Sequence, residues 1–361
     1  MKIVIDARFT RTDHHDGISR YGASLIAATA KIADVSMLIS DVRQLALLPD
    51  VPYTLISSPL SPRELFVART VNALGADVVV CPMQTMGTWG RKYGLVLTLH
   101  DLIYYEHPDP PGFLPAPVRL LWRLYHKAFW PQRVLLDRAD TVATVSRTTE
   151  ALIAKYRLTH RPVRIISNAP QPELDPRPAE AGAEKSIVYM GSFMPYKNVE
   201  TMVAGMAQLP GYTLHLLSRI TPQRRAELEA LVAPDASVVF HNGVTDEEYA
   251  TLLRTATALV SLSRAEGYGL PLVEAMSLGT PVIASDIPIF REVGGDAATY
   301  VDPASPGQFA EAVARLQDPA TWQAVSRSSL ARAREFSWDE SARQLVEVAA
   351  EIVKRRRGRT R

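Results

Sequence analysis

Short apolar runs alternate with longer amphipathic stretches along the chain, a pattern of parallel strands covered on both faces by helices. In the first half, Lys2 to Ile5, Val35 to Ile39, Val78 to Cys81, Leu95 to Leu99, Thr141 to Val145 and Arg164 to Ile166 predict strands. Ser19 to Ala33, Pro117 to Ala128 and Arg147 to Tyr156 predict helices between them. Residues 169–185 interrupt the pattern with four prolines and little apolar periodicity, which predicts an interdomain linker. A second series then begins: Ser186 to Met190, Thr213 to Leu217, Ser237 to Phe240, Ala258 to Ser261, Pro281 to Ala284 and Thr299 to Val301. The expectation is an α/β protein with two Rossmann-like parallel-sheet domains, residues 1–168 and 186–338, followed by a helix and basic tail at 339–361. Ligands of open parallel sheets bind beyond the carboxyl ends of the strands. Two such domains facing each other predict a site in the cleft.

Composition adds little to this picture beyond exclusions. The 361 residues carry 40 basic and 38 acidic side chains, a net charge of +2, which gives no general attraction to nucleic acid. The lone Cys81 sits in an apolar run, so neither a disulfide framework nor a thiolate metal cluster is expected. The first residues read as a strand rather than a signal peptide, and no apolar run approaches the ~18 residues needed to span a bilayer. A cytoplasmic protein is expected, with two places where a membrane surface enters. The tail Arg355-Arg356-Arg357-Gly358-Arg359-Thr360-Arg361 is either a solvated end or an attraction to anionic lipid. Within 117–133 a helix would put Arg119, Arg123, His126 and Lys127 on one face and Leu120, Leu121, Leu124 and Ala128 on the other, which suits core packing or a lipid surface equally.

Candidate chemistry concentrates where predicted strands end. The strongest string is Glu266-Gly267-Tyr268-Gly269-Leu270-Pro271-Leu272-Val273-Glu274-Ala275-Met276, a glycine turn entering a helix. Such a turn offers backbone N–H groups and the positive end of a helix dipole, which suits a diphosphate. A carboxylate beside phosphates must bond hydroxyls to be tolerated, which assigns Glu266 to a transferred sugar and Glu274 to a ribose. The second string is Gly191-Ser192-Phe193-Met194-Pro195-Tyr196-Lys197-Asn198, where Lys197 could neutralise a leaving diphosphate. The third is His100-Asp101, with His100 facing the sugar and Asp101 holding the histidine tautomer or the turn. The fourth joins Asp6-Ala7-Arg8 to Asp16-Gly17-Ile18-Ser19, where Gly17 lets backbone approach the donor. Asp13-His14-His15-Asp16 is a poor metal site because adjacent histidines rarely face one ion, and no Asp-x-Asp occurs. No metal or other cofactor is therefore expected.

The two glutamates with seven residues between them, and the continuation Gly279-Thr280-Pro281-Val282 to Glu292-Val293-Gly294-Gly295, resemble the family 4 glycosyltransferases. The likeness is dense in the second half and sparse in the first, where Gly-Ile-Ser-Arg-Tyr and His-Asp-Leu are most similar to bacterial mannosyl- and rhamnosyltransferases. It implies a GT-B fold with an acceptor-side first domain and a nucleotide-sugar-binding second domain. It further implies retaining transfer, with mannose from GDP-mannose favoured, to a glycan or lipid-linked acceptor of the cell envelope. Catalytic roles then fall to His100, Lys197 and Glu266. Donor contacts fall to Gly17, Gly191, Ser192, Lys197, Asn198, Val244, Glu266, Gly267, Tyr268, Gly269, Leu270 and Glu274. In the family a basic residue often precedes the lysine; Tyr196 stands there, so Arg219 is expected as the second cation. The alternatives are a nucleotide-sugar epimerase of the same architecture and a non-catalytic partner subunit that binds nucleotide sugar.

Overall fold

The computed structural model describes residues 1–108, 115–171, 175–177 and 182–359. Part of the predicted linker, 172–174 and 178–181, and the last two tail residues, 360–361, lie outside the described residues. The chain divides into two compact units, Met1–Asn168 with Ser337–Arg361, and Ala169–Phe336.

The first unit is a seven-stranded parallel sheet: β1 (Lys2–Asp6), α1 (Gly17–Ala30), β2 (Asp34–Ile39), β3 (Tyr53–Leu55), α2 (Val67–Asn72), β4 (Val78–Cys81), β5 (Gly94–Leu99), α3 (Ile103–Glu106), α4 (Ala116–Tyr125), α5 (Trp130–Leu136), β6 (Thr141–Thr144), α6 (Arg147–Lys155) and β7 (Val163–Ile165). The spatial order β3-β2-β1-β4-β5-β6-β7 reverses direction between β1 and β4. Val4, Val79, Leu95, Leu97 and Val142 of the inner strands are fully buried, which is why these runs are apolar on both faces. The pattern does not predict β3. It is a three-residue strand with Tyr53 and Leu55 exposed, so it leaves no apolar run.

The second unit comprises β8 (Glu184–Tyr189), α7 (Val199–Gly205), β9 (Thr213–Leu216), α8 (Pro222–Glu229), β10 (Ser237–Phe240), α9 (Asp246–Thr255), β11 (Ala256–Ser261), α10 (Leu270–Ser277), β12 (Val282–Ser285), α11 (Pro288–Gly294), β13 (Ala298–Val301), α12 (Pro306–Arg315) and α13 (Pro319–Ala333). Its six parallel strands run β10-β9-β8-β11-β12-β13, reversing between β8 and β11. Ile187, Leu214, Val260 and Ile283 meet Met202 and Phe309 in one apolar core. Strand β8 starts inside the predicted linker, at Glu184.

Helix α14 (Trp338–Arg359) returns to the first unit. It packs on α1, with Trp338 edge-on to Tyr21, and Ile352 fills the space above Gly94 where any Cβ would collide. One qualification concerns the tail expected to be solvated or lipid-seeking: Arg355 stays exposed, but it and Arg356 bond to the first unit. Arg355 donates to Thr141 Oγ1 of β6 at 2.9 Å and Arg356 to the Lys92 carbonyl in the loop before β5 at 2.7 Å.

A correction concerns α4. Leu120, Leu121 and Leu124 face solvent, while Trp122 and His126 turn inward onto Tyr104 and Tyr105 of α3. Core packing therefore does not account for the apolar face. Arg119 and His126 are half-buried, so the expected single cationic face is divided.

Candidate active site

In the second unit, the reversal between β8 and β11 opens a crevice at the carboxyl ends of two central strands, where the strand connections leave in opposite directions. Both glycine turns named from the sequence end there. After β8, a tight 3-10 turn at Pro195–Lys197 leads into Asn198, whose φ of 55° and ψ of 42° are left-handed, a conformation asparagine tolerates better than most residues. After β11, Ser263 to Gly269 turn into α10. Gly269, at φ 98°, lies where a Cβ would come within 2.9 Å of Phe290, so both conformation and space demand glycine.

The two turns are tied together. Lys197 Nζ donates to Glu266 Oε1 at 2.6 Å, and the Ser263 hydroxyl donates to the same oxygen at 2.8 Å. The Arg264 amide donates to the Tyr196 carbonyl at 2.8 Å, and its guanidinium to Asn198 Oδ1 at 3.2 Å. The Lys197 and Glu266 side chains keep 14% and 13% of their surface, enough to meet a ligand and little enough to strengthen their attraction.

Helix α10 begins beside this pair with no side-chain cap, whereas α8, α9, α12 and α13, the unit's other helices of eight residues or more, are each capped by Thr, Ser or Asp. An uncapped helix start retains the positive end of its dipole for an anion. Gly267 and Leu270 are half-exposed along this turn. Tyr268 is buried, edge-on to Phe336, with its hydroxyl pushed well up by burial, so its side chain packs the turn from behind.

One turn into α10, Glu274 is almost fully buried and accepts a hydrogen bond from the Tyr249 hydroxyl at 3.0 Å. Tyr249 lies on α9, 25 residues earlier, and holds the carboxylate in one orientation.

The remaining donor-contact candidates divide. The Asn198 side chain is buried and donates to the Leu262 and Pro303 carbonyls at 3.0 and 2.6 Å, so it braces the turn and does not face a ligand. Gly191 is required because a Cβ would press within 2.7 Å of the Tyr189 hydroxyl, which itself donates to the Ser192 carbonyl. The Gly191 amide donates to Ser218 Oγ at 3.1 Å. Arg219 is exposed and lies across Gly243, whose own φ is 107°. The loop carrying Val244 is pinned by the Ile220 amide on Asn242 Oδ1 and by the Gly243 amide on the Leu217 carbonyl. A basic residue that demonstrably reaches the Lys197 turn is Arg264, two residues before the Glu266 string and not among the expected donor contacts.

In the first unit, His100 ends β5 and its Nε2 meets the Pro82 carbonyl after β4 at 2.8 Å. A carbonyl partner requires Nε2 to carry the proton, so a neutral ring presents Nδ1 as an acceptor. Of the two roles expected for Asp101, the structure supports the turn, where its Oδ1 accepts the Ile103 amide, while the Pro82 carbonyl sets the tautomer. Tyr21 stands edge-on to the imidazole, with centroids 5.0 Å apart. Burial holds His100 below its ordinary value of 6.5, against the Pro82 carbonyl, Asp101 and Asp16, which favour the charged form. The unfolded chain then binds the proton more readily, so this contribution is full above pH 6.5 and is lost as pH falls below it. Melting temperatures followed from about pH 7 to about pH 5 should decline on the acid side, and His100→Gln should flatten part of that decline.

Gly17 opens α1, where an added Cβ would meet nothing within 4 Å, so neither backbone nor packing demands glycine and room for a ligand remains. The neighbouring Asp6 and Arg8 are fully buried against each other and do not line a site. Asp16 caps α1 through the Ser19 amide and pairs with Arg11, while His15 Nδ1 contacts Ser19 Oγ at 2.8 Å. Among the described residues no three His, Cys, Asp or Glu side chains come together in a manner suited to a metal ion.

Two parallel nucleotide-fold sheets in one chain are the architecture of the GT-B glycosyltransferases. The family model for Glycosyltransferase Family 4 matches residues 28–173 and that for Glycosyl transferases group 1 matches 184–318, and the chain belongs to this family of glycosyltransferases. An O-antigen chain mannosyltransferase of Salmonella typhimurium is 25% identical over 322 residues, 83% of this chain and 87% of that protein. O-antigen chain mannosyltransferase B of Escherichia coli is 28% identical over 70% of this chain and 68% of its own. Among solved structures, Anabaena HepE in complex with UDP and glucose superposes with a TM-score of 0.75 over 97% of this chain and all of its own at 17% identity, a likeness of fold.

Proposed function

We propose that this glycosyltransferase is a retaining, metal-independent hexosyltransferase that moves mannose from GDP-mannose to a glycan or lipid-linked acceptor in cell-envelope polysaccharide or glycolipid synthesis. The observation that carries the reading is the Lys197–Glu266 pair at the β8–β11 reversal, beside the uncapped start of α10. Lys197 supplies the positive charge for the departing diphosphate, Glu266 holds hydroxyls of the sugar, and Glu274, oriented by Tyr249, holds the ribose. The names of the Salmonella and Escherichia relatives support mannose, and the matched families favour a transferase over an epimerase or a silent partner subunit. The acceptor hydroxyl attacks the anomeric carbon from the leaving-group side. As the bond from that carbon to the diphosphate oxygen breaks, the departing phosphate takes the hydroxyl proton, so no enzymatic nucleophile is needed. Within the first unit, His100 presents Nδ1 as an acceptor for a hydroxyl and Gly17 leaves room for a ligand.

A panel of nucleotide sugars in EDTA, read by thermal shift, tests this directly. GDP-mannose at about a hundredfold over its Kd should stabilise the chain by roughly 2.7 kcal/mol. Glu274→Ala should abolish that shift, and Tyr249→Phe, which leaves the carboxylate in place but free to rotate, should weaken binding several-fold. A response to UDP-glucose alone would reassign the donor. No response to any donor would sink the site.

A further inference from the structure

From Pro115 to Leu136 the chain carries Arg119, Arg123, Lys127 and Arg133 and no Asp or Glu. The same segment holds six of the large apolar side chains that the fold leaves outside: Val118 at 43% of its surface, Leu120 at 60%, Leu121 at 67%, Leu124 at 54%, Trp130 at 65% and Val134 at 48%. This arrangement is not a helix failing to find its core. The inward side of α4 is already occupied, with Trp122 against Tyr104 at 4.8 Å and His126 against Tyr105 at 5.1 Å, and Phe129 stacks between Tyr105 and Tyr156 at 4.5 and 4.4 Å. An aromatic anchor therefore holds α4 with its leucines outward. Single exposed leucines need no explanation, but a contiguous run of them on two successive helices is costly to leave in water.

We infer that α4 and the start of α5 form a docking face for an anionic lipid bilayer. Charge selects this occupant. Arg123 and Lys127 are exposed beside the leucines, with flexible aliphatic stems that let their heads reach phosphate while the apolar residues enter the headgroup boundary. Trp130 supplies the amphipathic ring favoured at that depth. A protein partner would need acidic side chains set around an apolar groove. A second copy of this chain would bring Arg123 and Lys127 against the same two exposed cations, Arg119 being half-buried and Arg133 donating to the Tyr156 and Arg157 carbonyls. Anchoring belongs to this face, because Arg355 and Arg356 of the basic tail are bonded within the first unit. The face follows α3 and so lies in the segment immediately after His100, placing that end of the first unit toward the lipid.

Sedimentation with vesicles tests the inference without any sugar donor. The full chain should pellet with phosphatidylcholine vesicles containing phosphatidylglycerol and stay in solution with phosphatidylcholine alone. Leu121→Glu with Leu124→Glu should lower partitioning on the order of tenfold or more, and Arg123→Gln with Lys127→Gln should lower it and flatten its salt dependence. Donor-induced thermal stabilisation serves as the folding control, because these residues lie outside the proposed donor site. A chain that binds vesicles but no donor would defeat the transferase site and leave this inference standing. Failure of the full chain to pellet with anionic vesicles, or pelleting unchanged by the leucine substitutions, would overturn it. So would a dimer in sedimentation velocity that the same substitutions dissolve, since a second copy would then cover the face.

Discussion

Lys197→Met is expected to reduce turnover by about 10²–10³-fold, the usual loss when one preorganised group that stabilises transition-state charge is removed. The variant also leaves Glu266 with the Ser263 hydroxyl as its remaining recorded partner in a site that keeps only 13% of that side chain's surface, so stability should fall too. The two effects can be separated through Glu266. If Lys197 only neutralises Glu266, then Lys197→Met costs no further activity once Glu266→Gln, which has its own loss at the sugar, is in place. If Lys197 acts on the leaving diphosphate, the double variant regains stability while its turnover falls well below that of Glu266→Gln alone. The second outcome is expected, with kcat carrying most of the loss because charge on the diphosphate grows between ground state and transition state. Activity of the Lys197→Met, Glu266→Gln pair near that of Glu266→Gln alone would refute the assignment.

Much of this was legible before the fold was known, for reasons that differ by residue. Central strands such as β4 and β5 are buried on both faces, so their apolar runs could not be mistaken, whereas β3 is short, lies at the sheet edge and exposes Tyr53 and Leu55. The Glu266 to Glu274 string could be read because its glycines, its helix start and both carboxylates are contiguous. Tyr249 was not readable, since its link to Glu274 is made between two helices and leaves no motif in either. Asn198 was readable as part of a string but not in its role, because left-handed geometry and two carbonyl partners belong to the fold. For α4, periodicity showed that one side was apolar but held no sign of direction. The side pointing inward was decided by Tyr104 and Tyr105, two adjacent residues of the one-turn α3 that carry no periodicity of their own.

The largest stability effect is expected at Arg8, which stands in the fourth sequence string without an assigned role and which the structure places in the interior. Its guanidinium grips Asp6 through two bonds of 2.8 Å, reaches Glu64 at 2.6 Å and donates to the Ser57 carbonyl at 3.1 Å. Burial alone would lower the affinity of this group for its proton, but the two carboxylates more than offset that and raise it well above the ordinary arginine value. Glu64 also accepts the Gly87 amide at 3.0 Å, so the network joins the end of β1 to the turn before α2 and the loop after β4. Arg8→Met should cost about 3–5 kcal/mol, because it strands the Asp6 carboxylate in a place with no solvent. Arg8→Lys should cost less but remain clearly destabilising, since an ammonium keeps the charge and loses the fork that satisfies both Asp6 oxygens at once. Adding Asp6→Leu to Arg8→Met should recover part of the loss by removing the stranded charge. Urea titration of the four proteins decides the matter. A wild-type-like midpoint in Arg8→Met, together with a selective loss of donor-induced stabilisation, would place Arg8 in the site and remove it from the scaffold.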